Sequence, residues 1–217
     1  MAAPIALRPV LLFAAACLVL AGCGPTPEQP VTRLADVGAD SVVVVGRLEL
    51  KPPLRPNEQQ LKVGTFDPLD AADAMRDRGF LWFGHSGDTP AEKGDFVMNP
   101  HLGELYFLRV PKNMPYMLGG YIMAQYVTRM TSPRTMTVDD ARIEIPGGVR
   151  YDIRPGDRAI YVGTLVLHRD EFNEVTKAVI VDDYAPAAAA FKQRFGQGTE
   201  LRKAIPKTQA PPRTAAR

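Results

Sequence analysis

Residue types able to do chemistry are few in this chain, and they are scattered. His85-Ser86-Gly87-Asp88 holds the three side chains of a nucleophilic triad within four positions. A working triad needs base, orienting acid and hydroxyl to converge from separate elements, which near-neighbours rarely do. No Gly-x-Ser-x-Gly elbow accompanies it, so the segment is expected to be a loop and not a hydrolase site. The remaining histidines, His101 and His168, give neither i, i+4 nor His-x-His spacing, and no local zinc site is written here. Asp139-Asp140 lies before an apolar run without a supporting acidic cluster and is expected to sit in a turn. The soft ligands are more concentrated: Met98, His101, Met114, Met117 and Met123 share one region. Thioether sulfur suits Cu(I), which makes Met98, His101, Met114 and Met117 the candidate metal set. Methionine also fills irregular cores, and packing is the preferred role, with no metal or cofactor expected. Trp82 with Phe80 and Phe83 is read the same way, as core bulk in preference to a binding surface.

The two cysteines, Cys17 and Cys23, belong to the amino end. Arg8 is followed by an apolar run from Val10 to Leu20. That run is too short to span a hydrocarbon core of roughly 30 Å as a helix. A positive charge, a short apolar stretch and small residues make a secretory signal peptide over residues 1–22. Leu20-Ala21-Gly22-Cys23 resembles the lipobox of bacterial lipoproteins. The resemblance implies cleavage after Gly22, a diacylglyceryl group on the Cys23 sulfur and an acyl chain on the new amine. Such multiple acylation is what a stable anchor needs. The same resemblance implies that Gly24, where such lipoproteins carry Asp for inner-membrane retention, is permissive for transfer to the outer membrane. Cys17 leaves with the signal and Cys23 carries lipid, so the mature chain has no thiol for catalysis, zinc or a disulfide.

The 217 residues are 46% hydrophobic with a formal charge of +2, an ordinary globular composition. Collagen, a disulfide scaffold, an acidic disordered chain and a multi-pass membrane protein are excluded, and nothing favours nucleic acid as a partner. Pro25, Pro27 and Pro30 mark residues 23–40 as a flexible linker. The segment 197–217 carries Arg202, Lys203, Lys207, Arg213 and Arg217 against Glu200 and is read as a basic, Pro-rich disordered tail. The tail is thus at +4 and the body, 41–196 with its linker, at −3.

The body reads as strands. Val42 to Leu50 is apolar on both faces at first and then alternates. Gln60–Phe66, Phe80–Phe83, Glu104–Val110, Tyr121–Met130, Ile143–Ile145, Tyr151–Ile153, Ala159–Leu167 and Val175–Val181 follow, the last two as a hairpin. Gly119-Gly120 and Gly147-Gly148 are expected turns. Asp67-Pro68 opens one expected helix, ending by Gly79. A second runs from a cap at Asp182 or Asp183 to Gly196, with Tyr184, Ala188, Phe191 and Phe195 on one face, set against a sheet edge or an open end. The expected fold is mainly β: an antiparallel β-sandwich of about eight strands with one or two short peripheral helices.

Ile143-Glu144-Ile145-Pro146-Gly147-Gly148, Tyr151, Ile153, Pro155-Gly156-Asp157, Tyr161, Gly163 and Leu165 resemble a pattern in bacterial lipoproteins with a prealbumin-like (transthyretin-like) sandwich. Asp182-Asp183-Tyr184 before a short helix is similar too. The resemblance implies fold and location, not a reaction. The functional expectation is a lipid-anchored, non-enzymatic binding or assembly module of the bacterial envelope. It sits at the outer membrane with a periplasmic body and contacts membrane lipids through Cys23 and an envelope protein or cell-wall polymer. A periplasmic small-ligand or Cu(I) carrier is the alternative, and a hydrolase ranks behind it.

Overall fold

The computed structural model describes residues 30–55, 58, 77–90, 94, 96–132 and 135–206, with the backbone alone over 125–141. The signal peptide, Cys23, the expected strand 60–66, the helix opened by Asp67 and the tail beyond 206 lie outside the described residues. The described chain is mainly β, with two sheets and one α-helix.

The first sheet contains β1 (Ser41–Lys51), β4 (Leu105–Pro111), β8 (Ala159–Arg169), β9 (Val175–Val181) and β10 (Arg202–Lys203). Its order is β10-β8-β1-β4, and β9 continues along the same edge of β8 that β10 begins. The second contains β2 (Gly79–Gly84), β3 (Phe96–Met98), β5 (Tyr116–Ser132), β6 (Thr135–Ile145) and β7 (Val149–Arg150), in the order β3-β2-β5-β6, with β7 following β6 along β5. Among the described residues there are ten strands where about eight were expected: β3, β7 and β10 are too short to leave a periodicity, and the expected strand Tyr151–Ile153 is irregular, the pairing residues there being Val149–Arg150.

The antiparallel expectation is corrected in the first sheet. β1 pairs antiparallel with β4 but parallel with β8, Val44 beside both Leu108 and Ile160. A parallel pair needs a long connection. Here the whole second sheet supplies it, so no helical crossover is required.

β1 explains its own sequence. Val42, Val44 and Leu48 share a buried cluster with Leu81, Phe83, Met98, Ile122 and Ile143 of the second sheet. Val43 and Val45 point the other way, into a cluster with Ala187 and Phe191 of α1 (Tyr184–Phe195). The run Val42–Val45 is apolar on both faces because both are covered. α1 therefore lies on a sheet face and not at an edge or open end. Gly196 follows it, its N–H bonded to Lys192 O at 2.8 Å. Of the two expected capping residues, Asp183 holds the N-cap position without a side-chain cap, its carboxylate accepting from Thr164 Oγ1 at 3.1 Å, while Asp182 Oδ1 takes the Tyr184 N–H at 3.2 Å.

Both expected glycine turns are corrected. Gly119 and Gly120 lie inside β5, opposite Trp82 and Leu81. A Cβ on Gly120 would fall 2.0 Å from Phe80 O, so glycine serves close strand approach there. Gly147-Gly148 separates β6 from β7, two strands on the same edge of β5, and makes no hairpin. Asp139-Asp140 is in β6 opposite Tyr126 and Gln125, not in a turn. The hairpin β8–β9 matches its expectation, with Leu165 opposite Ile180.

Linker and tail boundaries move as well. Pro30 bridges Leu108, and the Val31 N–H donates to Phe107 O at 2.8 Å. Val31 and Val37 are buried with α1, and Arg194 Nε donates to Val31 O at 3.0 Å. Residues 30–40 are thus part of the body, because two valines outweigh a proline-rich look. Leu201 and Ala204 are likewise buried, and the Ala204 N–H reaches Tyr161 O at 2.8 Å, so the body extends past Gly196 to Pro206. One row of the first sheet consequently reads Pro30, Leu108, Val44, Ile160, Arg202, with entry and exit on opposite edges.

Candidate functional site

The triad-like segment is an exposed turn after β2. The Asp88 N–H points at Ser86 Oγ at 3.4 Å, and His85 Nδ1 donates to Asn113 O at 2.8 Å. Serine and aspartate are thus tied to each other through a local turn, and the imidazole is turned toward the 112–114 loop. This is not the base-to-hydroxyl geometry of nucleophilic catalysis.

The methionines are enclosed. Met98 and Met117 are buried in the cluster shared by the two sheets, and Met114 packs against it. Met117 Sδ accepts a long contact from the Tyr151 hydroxyl at 3.8 Å. His101 stands apart, bridged to Arg78 at the start of β2, whereas Met117 pairs with Phe83 near its end. Five residues of strand separate the two rows, about 17 Å. The fold therefore does not bring His101 together with Met114 and Met117. Among the described residues no three His, Cys, Asp or Glu side chains form a metal-holding group.

The aromatic run divides by face. Phe83 points into the core against Phe96 and Tyr151. Phe80 and Trp82 lie on the opposite face and meet the Tyr121 ring at 4.8 Å and 5.1 Å. The Arg142 guanidinium sits over the same ring at 5.0 Å. Burial lifts the Tyr121 hydroxyl above its ordinary pKa; Arg142 opposes the shift and Glu144 adds to it.

Two polar constellations had no sequence signal. In the first, Arg169 at the end of β8 is 2% exposed at its side chain and Glu58 8%. Nη1 and Nη2 of Arg169 grip the carboxylate at 3.0 Å and 2.8 Å. Nε donates to Pro52 O at 3.1 Å, Nη2 to Pro53 O at 2.8 Å, and Nη1 also to Asn173 Oδ1. All five donors of the guanidinium are used. Burial alone would raise the Glu58 pKa. The Arg169 hydrogen bonds and charge, with the Arg55 N–H at 2.7 Å, outweigh burial and hold it below the ordinary carboxylate value. In the second, Asp157 accepts from Arg202 Nε at 2.8 Å and Nη2 at 2.6 Å, and from the Arg154 N–H at 2.7 Å. The Arg202 hydrogen bonds lower the Asp157 pKa against a smaller burial effect. The first latch ties the segment after β1 to the β8–β9 hairpin. The second ties β10 to the turn before β8.

Beside the first latch runs an open groove of about 660 Å³. Leu50, Leu54 and Leu102 give it apolar surface; Glu49, Lys51, Asp77 and Glu104 give it charge, and His101 adds a polar ring. The Gly103 N–H holds its wall to Leu48 O at 2.7 Å. Its size falls in the range of small-molecule pockets, but it is open and its apolar surface is broken by Glu49, Lys51, Asp77 and Glu104, so it lacks their apolar enclosure. It can hold a polar or cationic group; among the described residues its lining contains no nucleophile–base pair.

Among the described residues no helix is long and apolar enough to cross a membrane. Comparison with protein-family models, curated proteins and solved structures returns no match to this chain.

Proposed function

We propose that this chain is a lipid-anchored protein of the bacterial envelope whose body is a non-enzymatic binding or assembly module. Its two sheets form a sandwich of the prealbumin type, with α1 as a third layer on one side. The anchor is Cys23, acylated after cleavage behind Leu20-Ala21-Gly22. The outer membrane is its place, with the body on the periplasmic side. One observation carries the reading. The folded body begins by Pro30, seven residues after Cys23, so the lipid signal leads almost directly into a self-contained domain. The scatter of the catalytic residue types agrees with a binding role: Ser86 and Asp88 share a local turn, the His85 ring is turned to Asn113 O, and Met98 and Met117 serve the core.

Expression of the full chain with and without Cys23→Ala tests the anchor. The wild-type chain partitions with membranes and carries the mass of diacylglycerol and an acyl chain on Cys23; the variant is soluble or retained uncleaved. A variant that is processed normally and stays on the membrane overturns the reading. Crosslinking in native membranes tests the binding role, and recovery of the body alone with several crosslinkers removes its support.

The groove favours one further reading, a carrier of a small polar or cationic ligand. Equilibrium binding to the soluble body separates the two, since an assembly module gives no saturable small-molecule binding at this groove.

A further inference from the structure

The geometry points to a fixed seat on the membrane. We propose that the body rests with the Ser41 end of β1 toward the lipid headgroups, and that the groove and the β8–β9 hairpin face away, toward aqueous partners. This rests on the reading of Cys23 as the lipid attachment.

Reach is the first argument. Pro30 is seven positions after Cys23, a span of at most about 25 Å whatever the conformation. Pro30 stands in the row of Val44. The Ser41 end of the sheet lies three residues from that row, about 10 Å, and the Lys51 end seven residues, about 23 Å. The β8–β9 connection extends further, because His168 already stands beside Lys51. Only the near end lies comfortably within the leash.

Direction is the second. Pro30 pairs antiparallel with β4, and Val31 meets Phe107 while Pro30 meets Leu108. From Val31 back to Pro30 the backbone therefore heads toward Pro111, which stands beside Ser41.

Charge is compatible with this seat. Among the described residues Lys112, Arg154, Arg158 and Arg202 at the near end balance Asp36, Asp40, Asp152 and Asp157, whereas the β8–β9 connection at the far end carries Asp170, Glu171 and Glu174. An anionic membrane surface repels such an acidic connection over about a Debye length. Reach and direction select the near end, and the acidic hairpin turns away from the lipid.

The mature chain offers no thiol once Cys23 is acylated, so single cysteines can be labelled. Gly156→Cys marks the near end, where an added Cβ meets nothing within 4 Å. Phe172→Cys marks the far end, where Phe172 is 72% exposed. The lipidated chains are reconstituted in phosphatidylethanolamine–phosphatidylglycerol vesicles containing a nitroxide-headgroup lipid, and fluorophore quenching is compared. The expected result is quenching at position 156 at least twofold stronger than at 172. Equal quenching, or stronger quenching at 172, overturns the orientation. Amine acetylation of the unsubstituted protein gives a second measurement. Lys112 is slowed on vesicles relative to free protein, while Lys51 and Lys177 are not; the reverse pattern overturns the proposal. Mass analysis of the same samples separates the two readings. A chain without lipid on Cys23 defeats the anchor and the orientation together, whereas a lipidated chain with equal quenching defeats the orientation alone.

Discussion

Glu58→Gln removes the charge that holds Arg169. The guanidinium is 2% exposed and its five donors are satisfied. With a neutral amide as partner it keeps one acceptor oxygen in place of two and loses its counter-charge in a site that water does not reach. Breaking a buried pair from one side costs about 3–5 kcal/mol; the retained amide oxygen places this variant at the lower bound, about 3 kcal/mol. Urea unfolding followed through Trp82, the one tryptophan, reads the loss. A slope of about 2–3 kcal/mol/M for a domain of this size turns it into a midpoint lower by about 1–1.5 M. Arg169→Met in the Glu58→Gln background recovers part of the loss, because the uncompensated charge is gone. Recovery is incomplete, since Pro52 O and Pro53 O each lose a donor, worth about 1 kcal/mol apiece. The sign of the pH dependence follows from the lowered Glu58 pKa. The latch contributes fully above the unfolded carboxylate value, about 4.3. Its contribution is lost as pH falls through the folded value. The wild-type advantage over Glu58→Gln is therefore flat from pH 7 to 5 and shrinks on acidification below that. A Glu58→Gln loss under about 1 kcal/mol, or an advantage that grows with acid, refutes the latch as an energetic element.

Asp157→Asn weakens the hold on Arg202. Limited trypsin digestion then cuts at Arg202 or Lys203 several-fold faster than in wild type, with a stability loss of about 1–2 kcal/mol. Gly120→Ala drives a methyl to 2.0 Å from Phe80 O and destabilises by at least about 1–3 kcal/mol, visible in thermal melts. Met117→Leu conserves volume in the core and costs less than about 1.5 kcal/mol; a larger loss argues that its sulfur does more than pack.

What the sequence made legible follows from locality. Val42 to Val45 announced a strand covered on both faces, and the structure supplies both covers, α1 and the second sheet. The β8–β9 hairpin was readable because its two strands are neighbours in the chain. Gly119-Gly120 misled because a glycine serves a turn and a tight strand contact alike, and only the position of Phe80 O tells them apart. Residues 30–40 and 201–206 passed for linker and tail because each buries only a few small or scattered side chains, Val31 with Val37 and Leu201 with Ala204 and Pro206, too few for a periodicity. Glu58 and Arg169 stand 111 residues apart, and no periodicity links such a pair. Met114-x-x-Met117 was readable as a motif, but its distance from His101 is a property of the sheet.

The parallel seam between β1 and β8 has a consequence for the order of events during synthesis. β1 is made early and can pair with β4 once residue 111 has emerged, yet its other edge stays open until residues 159–169 arrive. Bringing such distant partners together is slow relative to local pairing. For that interval a run of five buried-type residues, Ser41 aside, presents bare backbone along β1. The chain thus carries its aggregation hazard in its first strand and its remedy in its last third. A chain ended after Arg158 is expected to be insoluble or protease-sensitive, and a separately supplied 159–206 segment is expected to rescue it by filling the seam; a soluble, protease-resistant 1–158 chain would show that β8 is dispensable.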